Sequence, residues 1–418
     1  MISRWRWLLL QFSRRLWLRV TFMALIGVVT AAAGVVLAPY VPDAWTIKIG
    51  AQAIDRILNV LASSMLAVTV FSLSTMVSAY SAATNNVTPR ATKLLMQDNT
   101  SQNVLGTFIG SFLFSLVGII ALSTGLYGAG GRAILLVVTI GLIALIAVTI
   151  LRWIDYLARF GRLGETIDRV ETATWSAMKT RLTHQHLGGR PLQDREGGMP
   201  KDAVAVFAQT IGYVQHFDTE ALQDCAEAHG TEIFVTALPG VFADPSRPVA
   251  HVLATSDGLH DTVAKAFTIG AERTFDQDPR FGLCVLAEIA SRALSPAVND
   301  PGTAIDVIGR AVRLLVNWAR FERPAAKAAV PYPLVWVPAI QADDMFDDAF
   351  APIARDGAGL VEIHLRLQKA FRALVAADRQ SFGDAAHRHS AAALQRAEDT
   401  LQMEAEKAAV RHLALLRP

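Results

Sequence analysis

Two stretches in the second half of the chain carry residue types that could do chemistry. SRALSPAVNDPGTAIDVIGR (291–310) gathers Ser295, Asn299, Asp300 and Thr303 around one turn. Hydroxyls, an amide and a carboxylate at that spacing could hold a ligand or present a contact surface to a partner. IGAERTFDQDPRFG (269–282) clusters Glu272, Arg273, Asp276 and Asp278, with Arg280 beyond. Its mixed signs fit an ion-pair network or a contact to an ion or a nucleotide phosphate. Both stretches share one device, Asp278-Pro279 and Asp300-Pro301. An aspartate N-cap accepts from the free N–H groups of a first helical turn. Proline suits the first helical position, where its missing N–H costs nothing. Capping therefore accounts for most of what looks special. Asn299, Gly302 and Thr303 do stand beside a positive helix terminus that can bind anions, but Asp300 would occupy that place itself. GxSxG, a Walker lysine loop, GxGxxG and HExxH are all absent from the sequence, so no enzyme activity is expected.

The elements that must position these residues are helices. One buries Phe281, Val285, Ile289 and Ala293; the next buries Ile305, Ile308, Val312 and Leu315, with Asp306 and Arg310 as a pair one turn apart. ADDMFDDAF sets Asp343/Asp347 and Asp344/Asp348 at helical spacing, where carboxylates complement a helix start. It lacks the glycine and alternating ligands of a calcium loop. His184 and His186, like His387 and His389, are two apart and point to different helix faces, so no metal is expected. Cys225 and Cys284 offer neither a disulfide framework nor zinc spacing and read as small buried hydrophobes in a reducing compartment. No cofactor is expected.

The rest of the chain explains where this domain sits. Of 418 residues 52% are hydrophobic and 18% charged, and the apolar excess lies almost wholly before Arg152. A net charge of +2 gives no case for nucleic acid. No charge falls between Arg19 and Asp43, Arg56 and Arg90, Asp98 and Arg132, or Arg132 and Arg152. Crossing a ~30 Å hydrocarbon layer takes roughly 20 apolar residues, so each window holds one span. The expected spans are 18–38, 57–80, 104–126 and 133–153. The first is kept as a span rather than a cleaved leader, because its apolar run is long and three more follow. Arg4, Arg6, Arg14, Arg15 and Arg19, then Arg90 and Lys93, then Arg152, Arg159, Arg162 and Arg169 outweigh Lys48, Arg56 and Arg132 on the other side. Both termini are therefore expected in the cytoplasm. Residues 1–17 would suit an interfacial helix on anionic lipid.

Span two is unusual. Ser64, Ser72, Thr75, Ser78 and Asn85 fall on one helical stripe, which suits either a pore-facing surface or a packed helix face. Gly106 and Gly110 in span three form a GxxxG that permits close helix approach. Apart from Arg19 and Arg152 at the span ends, no Asp, Glu, Lys, Arg or His lies within any span, which argues against a proton relay or a carrier of charged substrates.

The architecture read from these signals is an α-helical polytopic membrane domain with four transmembrane helices (18–155), followed by a cytosolic α+β domain. The latter divides into a juxtamembrane helix (156–186), a Gly/Pro-rich flexible linker (187–200), a small β-rich subdomain (201–256) and a mostly helical remainder (257–418). The last two amphipathic helices would close the domain or mediate self-association.

SRALSPAVNDPGTA, IGAERTFDQDPRFG, IGYVQHFD and NNVTPRATKLLMQDNTSQNVLGTFIGSF together make the chain similar, over nearly its whole length, to a family of predicted bacterial membrane proteins designated as a domain of unknown function, DUF2254. The resemblance implies a bacterial inner membrane and brings no catalytic residue or ligand with it. Two functions are expected: a homo-oligomeric, channel-like pore built around span two under control of the cytosolic domain, or a membrane-anchored sensor or scaffold whose domain binds a partner or small ligand. Membrane lipid is the one partner common to both.

Overall fold

A computed structural model describes residues 16–37, 51–96, 98–160, 162–192, 198–253, 256, 258–322 and 330–415. Most of the expected interfacial helix at 1–17 lies outside the described residues. The chain divides into two compact units, the first ending at Thr166 and the second beginning at Ile167.

The first unit is helical: α1 (Leu16–Leu37), α2 (Ala51–Asn86), the short α3 (Pro89–Met96), α4 (Asn99–Ser123) and α5 (Ala129–Arg159). Among the described residues four helices are long and apolar enough to cross a membrane, at Val20–Leu37, Gln52–Ser81, Asn99–Ser123 and Gly130–Arg159. The helices outrun the charge-free windows that located them. α5 continues past Arg152, and Asp155 and Arg159 pair one turn apart on it at 2.5 Å. α1 and α4 meet backbone to backbone. A Cβ on Gly27 would lie 2.4 Å from the Gly110 carbonyl oxygen, and one on Gly110 would lie 2.8 Å from that of Met23. Only glycine at both places allows this approach. Tyr127, in the connection after α4, donates its hydroxyl to the Ala31 carbonyl and ties the far end of α1.

The second unit combines two sheets with a helical layer. Its elements are α6 (Leu163–Thr183), β1 (Gly189–Leu192), β2 (Val204–Val206), β3 (Gly212–Phe217), α7 (Thr219–His229), β4 (Ile233–Val235), β5 (Phe242–Ala243), β6 (Ala250–Val252), α8 (Leu259–Ala266) and β7 (Phe267–Gly270). After them come α9 (Pro279–Ala293), α10 (Pro301–Arg320), β8 (Tyr332–Pro338), α11 (Ala342–Asp356), α12 (Val361–Ala377), α13 (Arg379–Thr400) and α14 (Glu404–Leu413). One sheet runs β1-β8-β4-β6-β2, with β8 parallel to both neighbours and the rest antiparallel; the other is an antiparallel β5-β3-β7. Ile233, Val235, Val335, Val337, Phe217 and Leu222 share one apolar core between sheets and helices.

Three sequence expectations change here. The segment 187–200 is not all linker, because Gly189–Leu192 forms the edge strand β1 on β8. The β-rich region does not end at 256, since β7 and β8 come from later in the chain. Nothing in GRPL is β-branched, so this strand exists through pairing rather than propensity. The buried face of α10 is turned slightly from the expected one. Ala304, Val307, Ile308, Ala311, Leu314 and Leu315 are buried, whereas Ile305 and Val312 are only half-buried.

Candidate functional site

The hydroxyl stripe of α2 does not face one environment. Ser72 is fully buried and its Oγ accepts from Trp153 Nε1 of α5 at 3.0 Å. Ser64 is half-buried and returns its hydroxyl to the Leu61 carbonyl at 3.2 Å, as Thr75 does to Phe71 at 3.0 Å. Ser78 is exposed, in company with Ser63, Ser74 and Ser81. Asn85 belongs to α2, but its side chain is outside the described residues. Gly106 and Gly110 are both buried in α4, and Gly110 is the one whose missing side chain admits α1.

The turn at Ser295–Thr303 is a helix-to-helix connection with every capping group used. Ser295 donates Oγ to the Arg292 carbonyl at 2.7 Å, and its own carbonyl accepts from Asn299 N at 2.8 Å. Asn299 takes the left-handed conformation at φ 50°. Asp300 accepts from Thr303 N at 3.1 Å and from Thr303 Oγ1 at 2.6 Å. Its carboxyl is held below the usual carboxylate range by these bonds.

The charged cluster before α9 is different, because it borders a cavity. Arg273 binds Asp278 through two of its three guanidinium nitrogens, Nε to Oδ2 at 2.7 Å and Nη2 to Oδ1 at 3.0 Å, and Asp278 also caps α9 by accepting from Phe281 N at 3.0 Å. Burial works against the Arg273 charge, but the bidentate bond to Asp278 outweighs it and raises its pKa. Glu272 lies at the surface, its carbonyl accepting from Gln215 Nε2 at 2.7 Å, and Asp276 is half-buried. Cys284 Sγ lies 3.4 Å from Arg273 Nη1. Burial nevertheless pushes its thiol up to about 12, so it is no nucleophile at neutral pH. Arg280 reaches from α9 to α11 and is held by Asp344 at 2.7 Å and Asp348 at 2.6 Å. The other acidic pair, Asp343 and Asp347, holds Arg388 of α13 at 3.3 and 2.9 Å. The acidic run at the start of α11 therefore clamps two arginines as well as complementing a helix dipole.

The cavity bordered by this cluster has a volume of 220 Å³. Its charged lining is Arg181, Arg247, Arg273, Arg280, Asp278 and Asp344. Sequence reasoning missed Arg181, although a signal was present. On α6, Ile167, Val170, Thr174, Ala177 and Met178 are buried, and Arg181 continues the same helical row into the core. It is 6% exposed. Nη2 donates to the Pro338 carbonyl at 3.1 Å, while Nη1 is buried with no hydrogen-bond partner. No carboxylate pairs with it among the described residues. Burial lowers its pKa to about 10, which leaves it charged at neutral pH. Arg247, on the β5–β6 turn, is exposed and forms no ion pair among the described residues, although its charge helps to hold the Asp244 carboxyl below the usual carboxylate range.

The profile of the predicted-membrane-protein family DUF2254 matches residues 13–373. The chain belongs to that family. This DUF2254 protein is also similar to uncharacterized proteins of Mycobacterium bovis and Mycobacterium tuberculosis, at 27% identity over 263 residues, or 60% of this chain and 50% of each relative. The match thus spans about half the length of those curated relatives. No solved structure matches it.

Proposed function

We propose that this DUF2254 protein is a membrane-anchored sensor, in which four spans hold a ligand-binding α+β domain on the cytosolic side of a bacterial inner membrane. The observation that carries the reading is the seat of Ser72. The centre of the hydroxyl stripe of α2 is taken up by a hydrogen bond to Trp153 inside the subunit, while Ser64 and Thr75 return their hydroxyls to their own helix. Such bonds serve helix packing. The distribution of arginine and lysine beside the spans supports the cytosolic placement. The domain supplies what a sensor needs: a core of its own and a cavity with charged walls.

The test is reconstitution of the full-length protein in planar bilayers under varied tension and pH. The anchored reading expects no conductance from wild type. Conduction through an oligomer would have to use the outward face of α2, with Ser63, Ser74, Ser78 and Ser81. Single-channel currents that change on Ser78→Leu would overturn the reading in favour of a pore.

A further inference from the structure

We propose that the 220 Å³ cavity beside α9 binds a small phosphate-type oxyanion, gripped by Arg181 within and Arg247 at its exposed side. Four guanidinium groups and two carboxylates line the cavity, and both carboxylates are committed, Asp278 to Arg273 and Asp344 to Arg280. Arg181 is left without a carboxylate, and Arg247 is in no ion pair and has only the Asp244 charge near it. An exposed arginine without a partner is ordinary, but a buried one is not. Removing an ion from water costs far more than one carbonyl contact returns, and buried charges are normally paired. Arg181 is buried, and its only hydrogen bond among the described residues goes to the Pro338 carbonyl. Among the described residues no carboxylate supplies its counter-ion, and a bound anion would.

The shape of the donors narrows the class. A guanidinium is a planar fork that matches the paired oxygens of phosphate or carboxylate. Two unpaired guanidiniums suit a dianion better than a monoanion, which favours phosphate or a phosphomonoester over a carboxylate. Gln277 also lines the cavity, and its Oε1 is buried without a partner. The volume is below the ~300–1,000 Å³ of pockets that enclose drug-sized ligands, so a dinucleotide is excluded. A phosphomonoester free in solution and the terminal phosphate of a lipid share this chemistry.

As the ligand of an anchored sensor this inference rests on that reading, yet the two fail separately, one by conductance and the other by binding. Full-length protein is purified in phosphate-free detergent, and its thermal midpoint is followed while inorganic phosphate or glycerol 3-phosphate replaces chloride at fixed ionic strength. A parallel arm compares phosphatidylcholine nanodiscs with and without phosphatidate. A saturable rise in midpoint is expected. Response to the soluble anions identifies a free ligand, and response to phosphatidate alone identifies a lipid headgroup. Arg247→Ala should weaken the response about tenfold, the loss of one charge-assisted bond. Arg181→Met should abolish it while leaving the anion-free midpoint at or above wild type, because the uncompensated buried charge is gone. A purely structural arginine would instead lower that midpoint. Should Arg181→Met not fold, Arg247→Ala decides alone, since its side chain is exposed. No saturable rise with any of the three phosphates, or an Arg247→Ala protein that titrates like wild type, overturns the assignment.

Discussion

Gly240 stands at φ +95°, and a Cβ added there would lie 2.2 Å from Asp278 Oδ2. Two separate demands meet at this residue. The backbone conformation is one that L side chains rarely adopt, and the missing side chain lets the β4–β5 connection close over the Arg273–Asp278 pair. Gly240→Ala must therefore push the loop off the carboxylate or break the pair. The expected loss is roughly 2–4 kcal/mol, the sum of local strain and overpacking, measured as a fall in the denaturation midpoint of the second unit. Ala at Gly230 is a control, since a Cβ there meets nothing within 4 Å and only its φ of +59° is strained. A Gly240→Ala loss no larger than the Gly230→Ala loss would mean that the loop does not rest on Asp278.

The starts of α9 and α10 use the same Asp-Pro device with different consequences. Asp300 serves α10 alone, through Thr303 N and Oγ1. Asp300→Ala should therefore cost about 1 kcal/mol, the ordinary worth of an N-cap. Asp278 serves α9 and also neutralises Arg273. Asp278→Ala removes the cap and leaves a second guanidinium beside the cavity without its carboxylate, so roughly 3–5 kcal/mol is expected. Urea denaturation of the two variants checks the contrast, and equal losses would deny the ion pair its role. Both caps were legible in the sequence because they are local: Asp, Pro and the first-turn donors lie within four residues. The spans were legible for the same reason, each being one continuous charge-free run. The β1 strand was not, because its partner β8 lies far along the chain and GRPL has no strand propensity of its own. Arg181 was half legible. Its place on the buried row of α6 follows from spacing, but its lack of a counter-charge is decided by Pro338, Ile340 and Gln277, which spacing cannot bring to it.

At the scale of the whole second unit, buried histidines set an acid limit. His364 is fully buried, Nε2 is 2.8 Å from the Ala358 carbonyl, and Nδ1 has no partner. The neutral ring donates from Nε2, so protonation would put a proton on Nδ1 where nothing accepts it. Burial lowers its pKa, and the Arg396 charge acts in the same direction. His389 is lowered by burial and by Arg388, against the pull of Asp347, and His186 by burial and by Arg181, against its bond to the Val337 carbonyl. An unfolded histidine takes up its proton near pH 6.5. Below that value the unfolded chain binds more protons than the folded one, so stability is complete above about pH 6.5 and falls as pH falls. A second loss follows at lower pH. Asp300, Asp356 and Glu398 have carboxyls held below the ordinary range, by hydrogen bonds from Thr303, Arg355 and Arg411 respectively, and their contributions fade as these carboxylates protonate. The thermal midpoint of the second unit should thus drop by several degrees between about pH 7 and pH 5, before the carboxylates titrate. His364→Gln keeps a donor for the Ala358 carbonyl and cannot take a proton, so its midpoint should fall less steeply over the same interval. Equal slopes for wild type and variant would show that the acid limit lies elsewhere than at His364.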